Sequence, residues 1–472
     1  MADVCKMNIL VIDMTHGGVK IAVSYAKRGH VVYCYDIYNT LKGIDRRMLD
    51  IYGIELIQLE DLKKFHDEIE VIYPIHLPLT QDEIKKYNPH LKYTFKTHHK
   101  AIAELLNDWG EDIDKIEITG VKGKTSCAFM LKEILIDDNP LLLSSLGALI
   151  YEDKNEIVLQ KNISITPANI KETIDLAYKL ANPICGGEIK DRIYDCAIFE
   201  SSLGASGIGD VGLLTNIVED YPIARNNSSA SIAKKQVFNC DIVCCQKEDL
   251  DRYYRDIDHQ KVNSFSLKCK NANLYVEDIT YSLDETTMNI AYSNINTKNG
   301  ELISGNIEIK TFAPGPHHAL NVLGVVATAL SLNIDESRII AGLENYKGIP
   351  GRTNKQIIGN SIIIEEINPG INTKAIEASI NMLNNKSDYI ISIGGDYGIT
   401  CEEIDEDAVG ELIDNLNEEI ILTGEVGKSI SNKINKKITY IENYESVYNL
   451  AIENNKNLLF IYRSDYRKLS ER

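Results

Sequence analysis

The stretch ITGVKGKTS, residues 118–126, decides the reading of this chain. An apolar, strand-like run, KIEITG (115–120), leads into it, and a helical run, Thr125–Leu135, follows. Strand, glycine turn, Lys-Thr and helix is the context a phosphate-binding loop requires, because backbone N–H groups and the helix N-terminus then face an anion. The loop is short: Gly120 stands only three residues before Gly123, against the longer spacing of G-x-x-x-x-G-K-[ST]. In such a loop Lys124 neutralises terminal phosphates and the Thr125 hydroxyl holds Mg²⁺. A glycine turn with an exposed lysine is the alternative that the loop alone leaves open.

Outward from the loop, strand-like and helical runs alternate. MNILVID (7–13), the helical segment Val19–Arg28 and VVYCYDIY (31–38), with Asp36 near its end, read as a βαβ opening, and EVIYPIH (70–76) continues the layer. Near-continuous apolar runs of this kind suit a parallel sheet buried on both faces. The polar stretch 78–97 is expected to be a linker. After the loop come PLLLSSLG (140–147), YDCAIFE (194–200), VGLLTNI (211–217) and CDIVCCQ (240–246). Residues 262–312 change to short alternating runs, expected as antiparallel hairpins, and a helix is expected over His318–Leu330. From about 336 the alternation resumes with SIIIEEI (361–367), DYIISIGG (388–395), EIILTG (419–424) and NLLFIY (457–462). The expectation is an α/β chain of three domains: a Rossmann-like domain over 1–97, a central P-loop ATPase domain over 98–335 and a Rossmann-like domain over 336–472.

The totals bound the function. A length of 472 residues favours two to four domains, and a formal net charge of −19 argues against nucleic acid as the partner, since phosphate neutralisation needs clustered Lys and Arg. No run approaches eighteen apolar residues, so no transmembrane helix and no membrane partner are expected. No secretory segment is expected at the start of the chain, where the apolar run Ile9–Ile12 is a single strand's worth. The ten cysteines (5, 34, 127, 185, 196, 240, 244, 245, 269 and 401) lack zinc spacing and read as reduced core residues of a cytoplasmic protein.

Further motifs add to the loop. FESSLG (199–204) ends a strand in Glu200, and LLTNIVEDYPIA (213–224) carries Asn216 and Asp220 off the next one. SIAKKQVF (231–238) holds Lys234. APGPHHALNVLG (313–324) places His317, His318 and Asn321 at a helix start, where paired histidines also serve as ordinary helix-start polar residues. GIPGR (348–352) ends in Arg352. Taken as an ordered set, these resemble the Mur ligase superfamily, ATP-dependent ligases with a short G-[TS]-[NK]-G-K-[TS] loop, a strand-end Glu-Ser-Ser, a later Asn-x-x-x-Asp, an Ala-Lys, a helix-start Asn and a G-x-x-x-R. That resemblance implies ATP and Mg²⁺ as cofactors. It implies ATP contacts at Gly120, Lys122, Gly123, Lys124, Thr125, Ser126, Asn321, Arg352 and Glu366 (or its neighbour Glu365). It further implies metal contacts at Thr125, Glu200 and Lys234, the last as a carbamylated lysine, and catalytic roles for Lys124, Glu200 and Lys234. The implied chemistry is phosphorylation of a carboxylate to an acyl phosphate that a nucleophile displaces. Tyr221 stands where many members have His after the Asp, and His318 replaces the first Asn of the adenine motif.

DMTHGGVKIA (13–22), IYPIHLP (72–78), KTHHKAIAELL (96–106) and ESSLGASGIGDVGLLTNIVEDYPIA (200–224) resemble, within that superfamily, the coenzyme F(430) synthetase family of methanogenic archaea. There ATP activates a propionate of a nickel seco-acid tetrapyrrole, and a ring-system carbon attacks it to close a carbocycle. The small-molecule partner implied is that nickel tetrapyrrole, with Thr15, His16, Gly17, His76, His98 and His99 as its candidate contacts. His98 and His99 can equally belong to an interdomain linker that caps the next helix. An ATP-dependent amide-forming ligase of Mur or pseudomurein type, joining an amino acid to a carboxylate, is the alternative; it shares every ATP residue. A non-catalytic nucleotide-binding subunit is opposed by the intact Lys124, Thr125, Glu200 and Lys234. A dinucleotide oxidoreductase is opposed by the missing G-x-G-x-x-G, since 13–18 read DMTHGG.

Overall fold

Asn8–Ile12 places four successive buried residues at the centre of the first sheet. Such a run is stable only with both faces covered. The computed structural model describes residues 6–182, 192–383, 388–398 and 404–465. By packing, the chain divides into two units: Met1–Glu277 with Ile290–Ile307 and Leu320–Gly342, and Asp278–Asn289 with Glu308–Ala319 and Leu343–Arg472.

The first unit holds two large sheets. In one, β1 (Asn8–Ile12), β2 (Val31–Tyr35), β3 (Glu55–Leu56), β4 (Ile69–Tyr73) and β5 (Tyr93–Thr97) run parallel in the order β3-β2-β1-β4-β5. The expected linker over 78–97 is therefore corrected: it contains the helix Gln81–Lys85 and the edge strand β5. Lys96 disguised that strand. It reads as a solvent residue, yet it is buried against Glu70 at 2.8 Å.

In the second sheet, β6 (Asp114–Thr119), β7 (Leu141–Ser144), β8 (Gly147–Glu152), β9 (Asn155–Gln160), β10 (Cys196–Glu200) and β11 (Val211–Leu214) precede a small antiparallel pair, β12 (Pro222–Ile223) and β13 (Ser228–Ser229). β14 (Ile242–Gln246), β15 (Val262–Ser266) and β16 (Leu274–Thr280) follow. The order is β16-β15-β14-β11-β6-β10-β7-β8-β9, parallel except for the β7-β8-β9 meander. The expected hairpins over 262–312 fail at their start, because β15 pairs in parallel with both β14 and β16. β17 (Thr286–Asn296) and β18 (Leu302–Thr311) complete that region, and the helix Pro316–Ser331 follows.

The helices Val19–Lys27, His98–Leu105 and Pro167–Ala181 pack together between the two sheets. One hydrophobic cluster runs from Ile9 and Val11 of β1 to Leu141, Leu143 and Phe199 of the second sheet. A shared core of this kind fixes one sheet against the other.

The second unit contains β19 (Arg352–Ile358), β20 (Ser361–Ile367), β21 (Tyr389–Gly395), β22 (Ile420–Thr423), β23 (Thr439–Ile441) and β24 (Asn457–Arg463), in the order β19-β20-β24-β21-β22-β23. Only β19 is antiparallel. Cys34, Cys127, Cys196, Cys240, Cys244 and Cys245 are buried free thiols, and Cys269 is half-buried. Cys5, Cys185 and Cys401 lie outside the described residues. Among the described residues no helix is long and apolar enough to cross a membrane.

Candidate active site

β6 lies between β10 and β11, so the loops leaving these three parallel strands meet at one sheet edge. Ligands of open α/β sheets bind at such carboxyl ends. The loop turns at Gly120 (φ +144°) and Gly123 (φ +83°) before the helix Lys124–Ile134. Both turns need glycine for space as well: an added Cβ would lie 1.9 Å from the Thr215 hydroxyl at Gly120, and 2.2 Å from Asn321 Oδ1 at Gly123. The short loop is thus clamped from both sides. Asn216 grips it further, accepting from Lys122 N–H at 3.2 Å and donating to the Lys122 carbonyl at 3.0 Å. Lys122 is exposed and Ser126 half-buried. Lys124 folds over the loop, its Nζ donating to the carbonyls of Gly120 (3.1 Å) and Val121 (3.4 Å).

Glu200, 2% exposed, ends β10 next to the loop. It accepts from the Thr125 hydroxyl at 3.1–3.2 Å and from Ser145 N–H at 2.9 Å, and Ser145 Oγ lies 3.0 Å from Thr125 Oγ1. Ser145 joins Thr125 and Glu200 here, and no sequence signal marked it. Thr125, Ser145 and Glu200 form a cluster of oxygen donors, the chemistry Mg²⁺ prefers.

Lys234 is 1% exposed, on the helix Ala230–Lys234. Asp220 holds that helix, accepting from Ser231 N–H at 2.7 Å and Ser231 Oγ at 2.8 Å. Burial, with the Lys124 cation nearby, pushes the Lys234 amine down to about 7. Asn321 is buried against Gly123, so the helix that carries it forms one wall of the loop.

The first sheet contributes a second constellation. Asp13 is fully buried in a left-handed backbone conformation (φ +74°) and accepts from Thr15 N–H at 2.8 Å. His16 Nδ1 lies 2.6 Å and His76 Nε2 3.5 Å from Asp13 Oδ2. Burial works to raise the Asp13 carboxyl, but the two imidazoles hold it well below the usual carboxylate range. His16, His76, His98 and His99 line one cavity of about 190 Å³ with Thr166, Ser202 and Leu203. Thr15 and Gly17 do not line it: Thr15 is exposed and bonded to Thr40, and Gly17 sits against Ala168.

His98 and His99 are buried on the helix His98–Leu105, which Thr97 caps. The His98 ring bonds to the Ile12 carbonyl at 3.0 Å and the His99 ring to the Ser202 carbonyl at 3.2 Å. Burial pushes them down to about 4 and about 3, so both are neutral near pH 7. They stitch the two sheets together rather than sit in a linker.

In the second unit, Arg352 opens β19 directly opposite Glu366 of β20. Glu366 bonds to Thr353, and the Thr353 hydroxyl lies 2.8 Å from His318 Nε2. Glu365 points the other way and is occupied by the Tyr448 hydroxyl at 2.7 Å and Gln356 at 3.1 Å. Of these two glutamates, Glu366 is the one beside Arg352.

The short clamped loop, the strand-end glutamate and the α/β sheets are arranged in the fold of the Mur ligases. MurF from Acinetobacter baumannii superposes with a TM-score of 0.58 at 14% identity, covering 85% of this chain and 83% of that one. Within that class the chain is similar to coenzyme F(430) synthetase along nearly its whole length. It is 28% identical to the coenzyme F(430) synthetase of Methanocaldococcus jannaschii over 451 residues, 93% of this chain and 95% of that protein. The protein of the same name from Methanosarcina acetivorans is 26% identical, over 90% and 91%. Residues 355–465 match the family described as Coenzyme F430 synthetase CfbE, C-terminal domain.

Proposed function

We propose that this chain is an ATP-dependent synthetase that activates a propionate of a nickel seco-acid tetrapyrrole and closes a carbocycle to give coenzyme F(430). The observation that carries this reading is the similarity to two coenzyme F(430) synthetases over at least 90% of the chain. It extends through 355–465, in the second unit, where an amide ligase with the same ATP residues is expected to differ.

The carboxylate oxygen attacks the γ-phosphorus of ATP, and ADP leaves. A ring-system carbon then loses a proton and attacks the acyl carbon; phosphate departs with the former carboxylate oxygen, so the tetrapyrrole loses one water. Lys124 turns from its loop carbonyls to the phosphates, and the helix N-terminus behind it faces the same charge. Thr125 and Glu200 are the residues that would hold Mg²⁺, and their oxygen donors fit it. When bound, the ion neutralises charge on the transferred phosphoryl group. Burial lowers the Lys234 amine to about 7, so near neutral pH a large share of it is in the free-amine form that adds CO₂, which supports a carbamate role. The roles expected from the sequence are kept as assignments: Asn321 for adenine, Arg352 for phosphate and Glu366 for ribose.

The histidine cavity is assigned to the tetrapyrrole. Its volume of about 190 Å³ is below the roughly 300–1,000 Å³ of small-molecule pockets, so it receives a side arm rather than the macrocycle. Its histidines suit the macrocycle's acidic arms. A cytoplasmic location follows from such a substrate. The test is incubation with Mg²⁺-ATP and the seco-acid tetrapyrrole, without amine. Loss of one water from the tetrapyrrole per ADP released supports the synthetase; ADP release only with an added amino acid moves the chain to the amide ligases.

A further inference from the structure

The described residues include one cluster of three metal-ligating side chains outside the phosphate site: Asp13, His16 and His76. Their atoms form a closed triangle. Asp13 Oδ2 lies 2.6 Å from His16 Nδ1 and 3.5 Å from His76 Nε2, and the two ring nitrogens are 3.2 Å apart. A tetrahedral cation with bonds of about 2.0–2.1 Å needs ligand atoms roughly 3.3 Å apart; the 3.2 Å and 3.5 Å edges match one coordination face, and the 2.6 Å Asp13–His16 edge is a hydrogen-bond contact that a cation would open. Hydrogen bonds among three such groups satisfy them only in pairs, whereas one cation at the centre satisfies all three.

The site is also built. Asp13 is fully buried, and its other oxygen is engaged by Thr15 N–H at 2.8 Å, which leaves Oδ2 aimed at the histidines. Its left-handed backbone is a conformation a non-glycine residue seldom adopts. His16 is 43% and His76 23% exposed at the side chain, both toward the cavity, so a cation can enter and keep an open position.

We infer that Asp13, His16 and His76 bind a divalent transition cation of the Zn²⁺, Co²⁺ or Ni²⁺ class, with its open coordination position facing the histidine-lined cavity. Two imidazoles and one carboxylate select such ions over Mg²⁺, which takes oxygen ligands. The open position takes a carboxylate arm of the substrate; that detail alone rests on the proposed tetrapyrrole reading. Cation binding itself needs no tetrapyrrole, so the two fail separately.

The experiment is Co²⁺ titration of chelator-stripped full-length protein, read by visible absorption and by metal content after gel filtration. Melting curves check the fold. One equivalent retained in the Glu200→Gln variant, with affinity falling about 100-fold or more in His76→Ala and in Asp13→Asn, is expected. His16→Ala provides the independent variant where Asp13→Asn misfolds. Co²⁺ binding unchanged by these variants, or lost in Glu200→Gln, overturns the proposal. Absence of binding also overturns it and leaves the triangle a proton-sharing cluster.

Discussion

Glu117 on β6 and Glu200 at the end of β10 stand on adjacent parallel strands, 0% and 2% exposed. Their partners differ. Glu117 accepts from the backbone N–H groups of Ser206, Gly207, Ile208 and Gly209 at 2.7–3.3 Å, and from the Ser206 hydroxyl at 2.7 Å. Glu200 has one backbone N–H, from Ser145, and the Thr125 hydroxyl. A carboxylate saturated by fixed amides holds a loop in place. One whose other partner is a hydroxyl, which can turn its oxygen toward a cation, has coordination to offer. Depth and residue type are the same; the donor set is what tells the two apart.

Glu200, the glutamate proposed to hold the metal, separates from Glu117 most sharply on substitution. Glu200→Gln is expected to cut ADP release by about 10²–10³-fold, with the melting temperature nearly unchanged. Steady-state kinetics beside a thermal melt checks both. Similar activity loss with a collapsed melting temperature would make Glu200 structural as well. Lys124→Ala is expected to lose about 10²-fold or more in turnover while remaining folded, because this lysine packs mainly on its own loop. Full activity in that variant would remove the loop assignment.

Lys234→Met extends the contrast to a buried amine. Turnover is expected to be lost while the melting temperature holds or rises, since replacing a buried ionisable group with an apolar one of similar size is often neutral or stabilising. A fall in both would show the amine to be part of the architecture. Glu117→Gln is the smallest effect on chemistry and runs the other way. It turns an amide NH₂ toward fixed N–H donors, and denaturant unfolding is expected to show a loss of about 1–3 kcal/mol. Turnover per folded molecule should change little. An unchanged unfolding midpoint with abolished turnover would reverse the roles of the two glutamates.

Local order carried the legible part. Gly120, Gly123, Lys124 and Thr125 lie within six residues, and strand, turn and helix there follow from sequence alone. Glu200, Lys234 and Asn321 stood out as members of an ordered set, and folding brings each to the same sheet edge. What was hidden depends on long-range pairing. Lys96 gave β5 a polar look because its partner, Glu70, lies on another strand. Glu117 left one trace, a charge inside the apolar run KIEIT, whose meaning depends on a loop some ninety residues later. Ser145 left none. Glu365 and Glu366 were separable only once strand alternation sent one to Tyr448 and the other to Thr353. His16 and His76 meet across 60 residues of chain, and no spacing rule links them.

The central claim, that ATP activates a carboxylate which a carbon of the same molecule then captures, has a direct test in isotope transfer. A seco-acid tetrapyrrole with ¹⁸O in its propionates is turned over with Mg²⁺-ATP and no amine, and the phosphate and the tetrapyrrole are weighed by mass spectrometry. The account predicts one ¹⁸O in each phosphate released and a cyclised product lighter by one labelled water. Phosphate without ¹⁸O, or labelled phosphate beside an uncyclised tetrapyrrole, would contradict it.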